Sequence, residues 1–293
     1  MRLRRLGVGE PWGRLRHAAL VVGHPGHELK VFGWMAQYRP RVHCITDGSG
    51  QLGISRLPAT EAVLKSAGAK SGELFGCISD DGMYRAILGQ ERAFFVQLVD
   101  QLARSFVEDE VDLVVADASE GFNPTHDICR VLVNAAVVIA ERNGGRRITN
   151  LAVALAEGEL SLETKHDSSC RHFVLDDLLL KRKLEAAANY KEMRAEVQRA
   201  LTHLGAEYFR TECMRETMQV STARPAVPFY ENWGERRVRE GKYAEVIRLR
   251  EHMLPIMAHV MDHAGQARAC IRPAIMPPAI TPPDEDTAGI CES

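Results

Sequence analysis

The apolar positions of the chain fall into two periods. Near-continuous apolar runs, AALVVG at 18–23, VHCIT at 42–46 and VDLVVAD at 111–117, with ITNLAVALA from 148 as a fourth, have the pattern of strands covered on both faces. Between them the spacing changes to that of helices. ELKVFGWMAQY follows the first run, a segment from about 58 to 68 opens near Pro58 and stops at Gly68, and longer amphipathic stretches cover about 91–108 and 125–142. Asn143-Gly144-Gly145 ends the last of these. Strands alternating with helices predict an α/β fold: a Rossmann-like, mostly parallel sheet with helices on both faces, joined by right-handed crossovers. From about 176 the pattern becomes helical (DDLLLKRKLEAAANYKEMRAEVQRALTHLG), with a further helix near 243–262, which predicts a helical C-terminal cap. The expected organisation is an α/β core over 1–175, a helical portion of the same domain over 176–270, and a proline-rich tail over 271–293 expected to be disordered.

Composition narrows the partners. The 293 residues carry 37 basic and 39 acidic side chains, so no net field draws in nucleic acid or anionic lipid, and a small-molecule partner is expected. The sequence leaves the oligomeric state open and is compatible with a homo-oligomer. The seven cysteines are scattered, odd in number and without a CxxC pair, which speaks against a disulfide framework or a cysteine-ligated zinc. The basic start is followed by an apolar run of only about half a dozen residues, too short for a signal or membrane segment, so a cytoplasmic location is expected.

The candidate chemistry lies where the strands end. His24 and His27 follow the first strand directly, and His126 follows the strand VDLVVAD after the loop ASEGFNPT. In a parallel sheet these positions share the carboxyl edge, where such folds bind ligands. Three neutral imidazoles with an open fourth position suit a catalytic zinc, which polarises a carbonyl and lowers the pKa of its water to around 7. Spacing alone also allows a capped helix start with surface histidines. His43, inside a strand, is expected to be a satisfied core residue, and the aromatic run PFYENWGE (228–235) either packs the cap onto the sheet or stacks on a sugar face.

The order of motifs resembles the PIG-L/LmbE family of zinc-dependent N-acetylglucosaminyl deacetylases, whose first strand ends in His-Pro-Asp-Asp-Glu. Here that motif stands as His24-Pro25-Gly26-His27-Glu28. The resemblance implies that His24 and His27 bind zinc, with nitrogen replacing the family's oxygen ligand at 27, and that His126, last of Asn123-Pro124-Thr125-His126, is the third ligand. ITDGSGQLGISR resembles the family's Gly-rich segment ending in a substrate-binding Arg, here Arg56, and DDGMY a segment with a sugar-binding Asp, here Asp81. LDDLLLKRKLEAAANY and GAEYFR continue the match, which covers roughly 18–210. The implied activity is zinc-dependent deacylation of an N-acyl amino sugar or related glycoconjugate.

The departures fall on the reacting positions. Gly26 stands where the family keeps its general base, Asn123 where a His faces the developing oxyanion, and Thr125 where an Asp stands. Glycine cannot accept a proton, so another carboxylate takes the role, the zinc-bound hydroxide attacks without a helper, or the deacylase activity is weak or lost, leaving a sugar-binding protein or one with altered chemistry. Asp127, Glu120, Asp47 and Glu28 are the candidate replacements, with Asp127 favoured for its place beside the implied ligand His126. Asn123 can still offer its amide to an oxyanion.

Overall fold

A computed structural model describes residues 17–50, 53–153, 170–217 and 227–267. The expected tail at 271–293 lies outside the described residues. The chain forms β1 (Ala18–Val22), α1 (Phe32–Tyr38), β2 (Arg41–Thr46), α2 (Leu57–Ala67), β3 (Lys70–Ile78), α3 (Asp80–Leu88), α4 (Arg92–Glu108), β4 (Leu113–Asp117), α5 (Pro124–Gly144) and β5 (Thr149–Val153). It continues through β6 (Cys170–Val174), α6 (Asp177–Asn189), α7 (Arg194–Leu204), β7 (Thr211–Glu216), α8 (Phe229–Arg239) and α9 (Leu254–Gln266).

All five residues of β1 and of β4 are buried, because these strands lie inside a seven-stranded sheet of order β3-β2-β1-β4-β5-β7-β6. The first five strands run parallel, with Leu20 opposite Val42 on one side and opposite Val115 on the other. Alternation divides β1 between two cores. Ala19 and Val21 join the layer under α4, α5 and α9, while Leu20 and Val22 join the layer holding Phe32, Trp34 and Met35 of α1. The fold is therefore the mostly parallel α/β sheet, helices on both faces, that the pattern predicts.

Three strands differ from the expected set. β3 completes one edge of the sheet, and β7 and β6 extend the other, β7 pairing antiparallel with both β5 and β6. The stretch from 176 onward thus contributes a strand as well as helices. In TECMRE only alternate residues turn inward, Glu212 and Met214 being buried, so the strand carries little apolar signal. The helix expected near 243–262 begins later, as a π-helical turn at Leu249–Met253 running into α9. Among the described residues no helix is long and apolar enough to cross a membrane.

Candidate metal and substrate site

The carboxyl ends of four parallel strands meet at one cavity of about 1580 Å³. β1 delivers the turn His24–His27, β2 delivers Thr46, β3 leads into Asp80, and β4 ends in Asp117. His126 arrives from the first turn of α5, which Asn123 caps by accepting the Thr125 N–H at 2.8 Å. His24, His27 and His126 all line the cavity. Their ring centroids stand 4.7, 5.2 and 5.5 Å apart, each pair edge-to-face.

Buried carboxylates orient two of the rings. His24 Nδ1 lies 3.0 Å from Asp80 Oδ1 and 2.9 Å from Thr46 Oγ1, and His27 Nδ1 lies 2.8 Å from Asp117 Oδ2. Asp117 is anchored in turn by the Gly23 N–H at 2.7 Å, and Asp80 by the Gly50 N–H at 2.8 Å. Burial opposes ionisation of both acids, yet the neighbouring imidazoles and these donors hold their pKa values below the usual carboxylate range. Ionised acceptors at Nδ1 hold the Nδ1–H of His24 and His27, so Nε2 is the ring nitrogen left for another partner. His24 Nε2 is buried without a hydrogen-bond partner, as is His126 Nδ1. Burial, followed by the nearby His27, pushes the His126 pKa far below the normal histidine value, so its ring is neutral.

Three imidazoles on one tetrahedral ion, with bonds of about 2.0–2.1 Å, place their centroids about 5 Å apart, and the observed spacings bracket that value. Among the described residues, no group of three or more His, Cys, Asp or Glu side chains is placed so that it could hold a metal ion as it stands. Two rings held at Nδ1 by carboxylates, with His24 Nε2 and His126 Nδ1 orphaned, are a donor chemistry that a zinc ion would satisfy.

The other expected residues separate into cavity and scaffold. Asn123, Arg56 and Asp81 line the cavity. Because Asn123 Oδ1 is spent on the cap, its amide NH₂ is the group left to donate. Arg56 Nε donates to the Gly48 carbonyl, which fixes the guanidinium at the cavity wall. Asp81 pairs with Arg85 at 2.8 Å at the exposed rim; its neighbour Asp80 is the acid that touches a histidine.

Glu28, Glu120 and Asp127 are not among the cavity-lining residues. Asp127 Oδ1 accepts from the Ser119 hydroxyl at 2.9 Å and the Gly121 N–H at 3.1 Å, clasping the loop that also contains Glu120. Glu28 is fully buried beneath the histidine turn, accepting from the Gly26 N–H at 2.7 Å and the Thr60 hydroxyl at 3.0 Å, and burial raises its pKa to about 7. Thr60 Oγ1 in turn meets Tyr190 Oη at 3.0 Å.

Gly26 has φ 105°, and a Cβ there would lie 2.2 Å from Met193 Sδ. The space beside His27 is therefore occupied by Met193, arriving from the α6–α7 joint. Sequence reading missed Asp80, Asp117 and Met193. For the first two the available signal was an acid immediately after a buried strand, in CISD and LVVAD. The aromatic run divides: Tyr230 is buried, whereas Phe229 and Trp233 are partly exposed, with Phe229 stacked on Phe122 at 4.8 Å.

Fold and site together define an α/β protein with a histidine-centred cavity at the carboxyl ends of its central strands. The chain's fold is similar to that of a deacetylase from the teicoplanin biosynthesis pathway, solved as a bog complex, with a TM-score of 0.50 at 12% identity over 71% of this chain and 100% of the other. Further likenesses are to the zinc-inhibited form of a teicoplanin deacetylase (TM-score 0.48, 13% identity, 71% of this chain and 100% of that one) and to a conserved protein from Thermus thermophilus (0.46, 17%, 72% and 100%). No protein-family model and no curated protein sequence matches the chain.

Proposed function

We propose that the protein is a zinc-dependent hydrolase that deacylates an N-acyl amino sugar or a related glycoconjugate. The observation that carries this reading is the histidine trio, with two rings held by buried carboxylates and the His24 Nε2 orphaned in a cavity at the strand ends. The fold's likeness to a solved deacetylase is consistent with it. In this reading His24, His27 and His126 hold the metal, which when bound polarises the amide carbonyl and lowers the pKa of water. Asp80 and Asp117 keep the first two rings in the ligating tautomer. Arg56 binds hydroxyls or an anionic group of the substrate, Asp81 acts at the rim, and the Asn123 amide donates to the developing oxyanion. Asp127 positions the loop leading to Asn123, Glu120 lies on that loop, and Glu28 supports the histidine turn from below.

A second reading has one specific observation behind it. With Met193 against Gly26, no side chain occupies position 26 beside His27, so the chain would bind the sugar without hydrolysing it, or run other chemistry. Elemental analysis of protein supplied with zinc, followed by carboxylate release from a panel of N-acyl amino sugars, separates the two. About one zinc per chain, lost in His24→Ala and His126→Ala, together with turnover, is the expected result. Metal and sugar binding without turnover selects the second reading, and a wild type that holds no metal removes the ligand assignment.

A further inference from the structure

Tyr190 stands at the C-terminal end of α6, where the chain turns toward α7, and only 1% of it is exposed. Leu184 and Ala187 of α6 and Val197 and Leu201 of α7 line the histidine cavity, so this turn joins the two halves of one cavity wall. Tyr190 reaches the site in three directions. Its carbonyl accepts the Met193 N–H at 3.2 Å, and the Met193 sulfur is the atom that fills the space beside Gly26. Its hydroxyl lies 3.0 Å from Thr60 Oγ1 and 3.3 Å from the Arg56 carbonyl. Thr60 gives its own proton to Glu28 Oε1 at 3.0 Å, and Glu28 Oε2 accepts the Gly26 N–H at 2.7 Å. The one phenol proton is therefore left for Thr60 Oγ1 and the Arg56 carbonyl to share. A chain of buried hydrogen bonds thus runs from the end of α6 to the backbone of the histidine turn, with a branch to Arg56, whose Nε is itself held by the Gly48 carbonyl.

We propose that Tyr190 is a positioning residue for the site: its hydroxyl, acting through Thr60 and Glu28, holds the Gly26–His27 turn in register with Arg56 and with the α6–α7 wall. A packing role alone asks for no hydroxyl. Phenylalanine fills the same space, and a buried hydroxyl costs stability unless it is paired, so what the oxygen adds at position 190 is these bonds. The turn is the part that needs them. Gly26 has φ 105° and no side chain to restrict it, so the carboxylate on its N–H limits how the next residue, His27, is presented. Glu28 is fully buried, and its carboxylate is held by its donors, Thr60 among them. The effect on zinc, though not the positioning itself, rests on the ligand assignment proposed above.

Amide hydrogen exchange on the full chain without metal reads the positioning directly. Tyr190→Phe keeps the ring and is expected to speed exchange over 24–31 about five- to tenfold while α4 and α5 exchange as in the wild type. Zinc affinity, measured by chelator competition, is expected to fall about tenfold, the lower end of what losing a support of a metal-binding side chain costs. Thr60→Val breaks the chain at the next atom, so adding Tyr190→Phe to it is expected to change exchange over 24–31 no further. Val260→Ala, in the buried core under α9, lowers the melting temperature away from the site and is expected to leave both readings at their wild-type values. Unchanged exchange over 24–31 in Tyr190→Phe overturns the proposal, as does a speed-up spread evenly over the chain. Additive effects of Tyr190→Phe and Thr60→Val overturn it too, as does an equal response in Val260→Ala. A wild type that takes up zinc and a Tyr190→Phe variant within twofold of its affinity also overturn it, because the turn is then set without the hydroxyl. If exchange responds as expected but the wild type takes up no zinc, the ligand assignment fails and the positioning stands.

Discussion

At the scale of single residues, two aspartates near the site are alike in kind and opposite in role. Asp117 receives a proton-bearing nitrogen of His27, whereas Asp127 receives a hydroxyl and a backbone N–H from a loop. Asp117→Asn removes the charge that fixes the His27 tautomer and is expected to weaken zinc affinity about 10- to 100-fold in a chelator competition. Asp127→Asn keeps an oxygen for both of its donors, so zinc content and turnover are expected to change less than about threefold. A hundredfold fall in kcat with zinc retained would instead make Asp127 the proton acceptor. Gly26→Asp is expected to give no gain of activity and to lower the melting temperature by several degrees. The left-handed backbone costs a side chain about 1–2 kcal/mol, and the Met193 sulfur already fills its place. Adding Met193→Ala should recover the steric part of that loss only. The sequence pattern pointed to the three histidines because they follow buried strands, but it singled out Asp81 and passed over Asp80, the acid that meets His24. Adjacent residues at a helix start point in different directions, and only the packing of α3 under His24 decides which carboxylate meets the ring.

At the scale of elements, legibility followed burial. β1 and β4 stood out because both of their faces are covered, and α4 and α5 because their apolar periods are long and glycine or a turn stops them. β3 was hidden by Gly72 and Gly76 within KSGELFGCI. Gly72 is required there, because a Cβ would come within 2.4 Å of the buried His43 ring. β6 and β7 were hidden by short, polar sequences at the far edge of the sheet. β7 nevertheless holds together three elements. Buried Glu212 accepts from the Gly33 and Trp34 N–H groups at the start of α1, each at 2.8 Å, and from Lys183 of α6 at 2.9 Å. Glu212→Ala leaves Lys183 buried without its counter-ion and uncaps α1, and should cost about 3–5 kcal/mol in urea unfolding. Lys183→Met should cost less, because Glu212 keeps two backbone donors.

For the whole molecule, one buried histidine links stability to pH. His43 accepts the Leu74 N–H at 3.3 Å through Nδ1, and its Nε2 meets Ser105 Oγ at 3.3 Å. The nearby charges are Arg41 on the same strand and Asp109, which receives the Ser105 hydroxyl at 3.4 Å and pairs with Arg41 at 3.6 Å. Burial, with a smaller contribution from Arg41, lowers the His43 pKa from 6.5 to about 4. Below about pH 6.5 the unfolded chain takes up a proton that the folded ring refuses, so this contribution to stability is complete above that pH and fades as the pH falls toward 4. Unfolding free energies should drop by about 2–3 kcal/mol between pH 7 and 4.5 on account of this group, and His43→Gln should flatten that part of the profile. The sheet has a further consequence through the neighbouring strands β6 and β7. Val174 and Thr211 are register partners, and the Leu175 N–H donates to the Arg210 carbonyl at 2.8 Å, so α6 and α7 together form the head of one long hairpin, clipped at its neck. The histidines come from β1 and α5, outside that head. The histidine cluster and the α6–α7 wall of the cavity thus lie in separate stretches of chain. A relative could exchange everything between Leu175 and Arg210 as a cassette, keeping a lysine for Glu212 and a tyrosine for Thr60, and reshape that wall of the cavity with the histidine cluster intact.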